Sequence, residues 1–102
     1  MLVNVFKRSD IVVMKLATGE EIVASYVEEK PNGNIVVKNP IRCMLAPQQD
    51  GTVGVSYLPF VVGIDPDNNH EINVTNILVM PCHANDAIKK VHTENFPSLT
   101  LV

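Results

Sequence analysis

Apolar residues fall in short alternating runs separated by tight polar turns, and the densest such pattern lies between Asp10 and Asn39. Ile11–Leu16, Glu21–Val27 and Ile35–Val37 are rich in Val and Ile, which suit a half-buried pleated surface. Ala17-Thr18-Gly19-Glu20 and Pro31-Asn32-Gly33-Asn34 separate them. Gly19 and Gly33 tolerate positive φ, Pro31 presets the backbone of a type I turn, and Asn32 suits the position after it. The pattern predicts a three-stranded antiparallel meander. Val12, Met14 and Leu16 share one face of the first strand by the period-two rule. Ile11 and Val13 make the other face apolar too, so cover on both sides is expected.

Beyond the meander, Ile35–Leu45 reads as one long strand bent at Asn39-Pro40, because proline cannot donate to a ladder. Thr52–Ile64 reads as a fourth strand with a bend, and Glu71–Met80 as a fifth, stopped by Pro81. A short helix is expected over about residues 85–95. Asn85 or His83 would cap it, with Ala84, Ala87, Ile88 and Val91 near one face. Leu2–Phe6 suits a short strand or an arm, and Ser98–Val102 a strand-like tail that adds to a sheet edge. The whole chain, residues 1–102, is expected to be one domain with its core in 11–80. The predicted architecture is mainly β: a small, strongly bent five-stranded antiparallel barrel with one short C-terminal helix.

Composition sharpens this picture in three ways. Hydrophobic residues make up 46% of the 102, enough for a packed core, and the lack of Trp makes that core aliphatic. A chain this small commonly gains stability by oligomerising. The formal charge of −3, with no block of like charge, argues against coating of a phosphate backbone, which runs on clustered Lys and Arg. Lys7, Arg8 and Asp10 cut short the apolar Met1–Phe6 stretch, so no export signal is expected, and no run approaches the roughly 20 apolar residues of a membrane span. The expectation is a soluble cytoplasmic protein with Cys43 and Cys82 as free, buried thiols.

The strand pattern and its turns resemble the Sm/LSm family over about Ile11–Met80, and the build is similar to small Sm-like proteins encoded by marine phages. Leu16-Ala17-Thr18-Gly19 resembles the opening of that family's first motif, with Gly19 as its turn glycine. Ile22-Val23-Ala24 resembles the second strand, and Asn34 before Ile35-Val36-Val37 matches the Asn that contacts a base. Lys30 stands where the family has Asp, and Met80-Pro81 where it ends its second motif with Arg-Gly. The resemblance implies a homo-oligomeric ring of five, six or seven subunits, in which the fourth strand of one pairs with the fifth of the next. It implies single-stranded RNA or DNA as partner, in the host cytoplasm if the chain is phage-encoded, and no membrane.

The candidate nucleic-acid site is then the loop holding Lys30, Asn32 and Asn34, with Asn amides reading base edges and Lys30 meeting phosphate. Met80 and His83 would form its second half, His83 stacking on a base. Lys38 and Arg42, on either side of Pro40, would make a small basic patch. Each has a plainer account: a hairpin turn chosen for positive φ, a strand stop leading into a helix, and a solvated edge. Cys43, Cys82, His70, His83 and His92 have no metal-ligand spacing, so neither metal nor other cofactor is expected. Cys82 beside His83 lacks an identifiable orienting third group for nucleophilic chemistry, so no enzyme is expected. Asn73-Val74-Thr75 forms a glycosylation triplet without meaning inside a cell. The rival reading is a structural or assembly module that binds another protein through barrel edges or the tail.

Overall fold

A computed structural model describes residues 6–95. Leu2–Val5 of the expected N-terminal strand and the tail Ser98–Val102 lie outside the described residues. Strands β1 (Ile11–Leu16), β2 (Glu21–Glu29) and β3 (Ile35–Pro47) form the expected meander, joined by turns with Gly19 at φ 98° and Gly33 at φ 91°. They continue into β4 (Val53–Pro59), β5 (His70–Ile72), β6 (Ile77–His83) and one helix, α1 (Asp86–Asn95). All ladders are antiparallel, in the order β4-β3-β2-β1-β6, with β5 paired to the first half of β3.

Among the described residues six strands form where five were expected, because Glu71–Met80 is not continuous. Asn73 accepts at Oδ1 from the Thr75 amide (3.0 Å) and hydroxyl (2.8 Å), capping a single 3-10 turn, Val74–Asn76, that separates β5 from β6. Pro81 does not stop β6. It lies in a register shift between the pairs Val13–Cys82 and Lys15–Val79, where the ladder asks nothing of its nitrogen. The fourth strand is shorter than expected and ends at Pro59.

β3 bends where Asn39-Pro40 interrupts it. Asn39 adopts φ 52°, which asparagine tolerates better than most residues. One residue of β3 and one of β2 are extra in the ladder between them, at Asn39-Pro40 and near Val27, and such bulges curve a strand pair. β3 therefore pairs β5 through Ile35–Val37 and β4 through Ile41–Pro47. The chain then runs from β5 through the 3-10 turn to β6 on the far side of β1. Ala17 N donates to Asn76 O (2.7 Å), tying that turn to the β1–β2 connection. Between β5 and β6 the link is the chain itself and not a ladder.

The concave face holds the core: Val12, Met14, Leu16, Ile22, Ala24, Tyr26, Ile35, Val37 and Ile72, with Phe6 closing one end. Each fully buried aliphatic there contributes roughly 1.5–3 kcal/mol relative to exposure. The opposite face of β1 is only half-buried, so cover on both sides holds for β2 and not for β1. Val23 and Ile41, across from each other in the ladder, are buried outside that cluster. α1 lies against β2, capped at Asn85, whose Oδ1 accepts from Ile88 N at 2.9 Å. The inward face differs from expectation: Ala87 is exposed, and His92 is buried, its Nε2 2.9 Å from the Asn39 carbonyl.

Candidate nucleic-acid interface

The Lys30–Asn34 turn is held by its own backbone. Lys30 N donates to Asn34 O and Gly33 N to Lys30 O, both at 2.8 Å, and Asn34 N donates to Asn32 Oδ1 at 3.0 Å. This is the hairpin that Pro31 and Gly33 encode. What the sequence does not announce is the partner across the turn. The Asn34 side chain accepts at Oδ1 from Val74 N (2.9 Å) and donates from Nδ2 to Glu71 Oε2 (2.7 Å). The other carboxylate oxygen, Glu71 Oε1, lies 3.3 Å from Lys30 Nζ. Glu71 comes from β5, placed there by its register opposite Val36. The Asn34 amide, and next the Lys30 ammonium, hold the Glu71 carboxyl below its usual range.

Lys30 and Asn34 are thus together at one loop, with Asn32 exposed beside them. Met80 and His83 are not part of that cluster. Val74, which touches Asn34, precedes β6, whereas His83 ends it. From Ile77 to His83 is six steps of extended chain, about 20 Å. The His83 ring instead packs against Phe6, with centroids 4.7 Å apart, and Phe6 also meets Tyr26 at 5.3 Å. Met80 is half-buried midway along β6.

Lys38 sits opposite Ser25, and Arg42 opposite Ile22 and Leu58. Arg42 Nη1 lies 3.4 Å from Glu20 Oε2, and its buried Nε has no hydrogen-bond partner among the described residues. Arg42 also borders an open groove of about 570 Å³ between the β1–β2 turn and the base of the β3–β4 hairpin, away from the Lys30 loop. Both cysteines are free, but they are not both buried as expected. Cys43 is half-buried, its thiol pushed up to about 11 by burial and then by Glu21, while Cys82 is exposed on the sheet edge. Among the described residues no group of three or more His, Cys, Asp or Glu side chains could hold a metal ion, and no helix is long and apolar enough to cross a membrane.

A second feature lies at the two ends of the sheet, on the strands that the resemblance made pairing edges. The β3–β4 hairpin projects beyond β2, whose pairing ends at Cys43. Met44, Leu45, Val53, Val55 and Leu58 are exposed on it, and Leu78 and Val79 are exposed on β6. Alternating Val and Leu look alike in a core strand and in an edge strand awaiting cover. No protein-family model and no curated protein sequence matches this chain.

Proposed function

We propose that this chain is the subunit of an Sm-like ring that binds single-stranded nucleic acid, RNA before DNA, in cytoplasmic RNA or DNA processing. In this reading each subunit is a small barrel, its curved sheet brought round by the β5–β6 connection. β4 of one subunit adds to β6 of the next. The observation that carries the reading is the placement of exposed aliphatic side chains on the two strands that end the sheet, Val53, Val55 and Leu58 on β4 and Leu78 and Val79 on β6. Open apolar edges are templates for pairing, and joining unlike edges head to tail can close a ring. The ligand would meet the loop of Lys30, Asn32 and Asn34 and be held by few charges, so binding is weak and local.

A second reading, an assembly module that binds another protein through the same edges, is favoured by one specific feature. Asn34 is already engaged by Val74 and Glu71, and Lys30 by Glu71. Fluorescence anisotropy with labelled oligo-U, oligo-A and single-stranded DNA at low and moderate salt separates the two. The nucleic-acid reading expects saturable binding that weakens in Lys30→Ala and Asn32→Ala. Failure to bind any of the three at low salt would overturn it in favour of the assembly module.

A further inference from the structure

The Glu71 carboxylate bridges two donors as a ligand anion would. One oxygen faces the Lys30 ammonium at 3.3 Å, and the other takes the Asn34 amide N–H at 2.7 Å. The amide cannot turn over to avoid this arrangement. Its carbonyl oxygen accepts from Val74 N at 2.9 Å, and a flipped amide would set NH₂ against N–H and oxygen against carboxylate. The Asn34 donor is therefore aimed in advance by the backbone of the 3-10 turn, and Lys30 reaches the same carboxylate from the other side of the hairpin turn. The carboxylate is not locked. Lys30 and Glu71 side chains are both 42% exposed, and an ion pair this open to water holds weakly.

We infer that Glu71 is a built-in competitor for the anionic ligand, standing where a phosphate of single-stranded nucleic acid would lie between Lys30 and Asn34. This rests on the nucleic-acid reading of the loop and adds its regulation. A phosphodiester offers two oxygens to the same two donors, and to reach them it must displace a side chain of its own charge. Glu71 thereby sets a low affinity for a single strand crossing one loop. It selects for ligands that engage several loops of an oligomer at once, because each displacement then becomes intramolecular. The depressed titration of Glu71 agrees with a carboxylate that is charged and held by these two donors.

Glu71→Gln keeps an oxygen for the Asn34 amide and removes the charge. With labelled oligo-U and single-stranded DNA, anisotropy is expected to show binding at least about fivefold tighter than the unsubstituted chain, because a like charge some 4 Å from a phosphate is removed. The salt dependence should steepen by about 0.7 per engaged loop, since Lys30 now neutralises a phosphate. Lys30→Ala placed on Glu71→Gln should abolish both gains, which a general loosening of the fold would not do. Glu71→Ala serves as a second variant, with circular dichroism checking that each is folded. Equal or weaker binding by a folded Glu71→Gln, where the unsubstituted chain binds, would overturn the inference and leave the nucleic-acid reading standing. Binding by neither would overturn both.

Discussion

Replacing His92 with alanine tests how α1 is held on the sheet. The ring is buried, and Nε2 lies 2.9 Å from the Asn39 carbonyl, which only accepts. Nε2 therefore carries a proton. Burial disfavours the imidazolium and lowers its pKa, outweighing the carbonyl contact that raises it, so the resident form is the neutral Nε2–H tautomer. Alanine removes that donor from a buried carbonyl and leaves a void under the helix. The expected cost is about 2–4 kcal/mol. For a chain of this size 1 kcal/mol corresponds to about 4–8 °C, so the midpoint should fall on the order of 10 °C or more.

The pH dependence of that difference is the sharper test. An unfolded histidine titrates near 6.5, and the folded one lower. Between the two values the unfolded chain binds more protons, so the contribution of His92 is fully present above pH 6.5. It is lost as pH falls through the folded value. Thermal or urea unfolding of both proteins at matched concentration, from pH 8 to pH 5, should show a gap that is widest at the alkaline end and narrows in acid. His70 and His83 are common to both chains and leave the difference between them unaffected. A gap that does not change with pH, or no gap at pH 8, would refute this assignment of His92.

Three further outcomes are expected. Gly33→Ala should cost about 1–2 kcal/mol in urea unfolding, because φ 91° is unfavourable for a side chain while the added methyl group would meet Val74 only at an ordinary 3.5 Å. Gly54→Ala should cost far less, since the group in its way is the end of the exposed, flexible Gln48 side chain; equal costs would contradict the backbone explanation. With a disulfide-exchange reagent at pH 8, Cys82 should react well before Cys43, whose thiol is pushed up to about 11 and half-buried. Mass spectrometry of the first modified species identifies which cysteine reacted, and modification of Cys43 first would overturn that ordering.

Local chemistry made much of the sheet legible. Gly19 and Gly33 marked the turns, the Asn39-Pro40 pair marked the bend, and Asn85 marked the helix start, because each acts on its immediate neighbours. What stayed hidden depends on residues distant in sequence. Glu-Ile-Asn-Val-Thr-Asn-Ile reads as one strand, and only the Asn73 cap turns its middle into a 3-10 turn. The buried His92 meets a carbonyl 53 positions away, which no local pattern reveals. At the candidate site, the sequence brought Lys30, Asn32 and Asn34 together but offered no sign of Glu71, which lies 37 positions from Asn34. It also suggested that Met80 and His83 join them, whereas His83 packs on Phe6 at the end of β6 and Met80 lies midway along that strand. The apolar edges were expected as pairing strands only through the family resemblance, since alternation identifies a strand and not what covers it.

Mass by light scattering, across a range of concentrations, tests the central claim of edge-to-edge assembly most directly. The unsubstituted chain should be one discrete species of five to seven subunits. Val55→Lys on β4 and Leu78→Lys on β6, both exposed, should each reduce it to folded monomer. A folded monomer at every concentration for the unsubstituted chain, or a ring that both substitutions leave intact, would contradict the joining of β4 to β6.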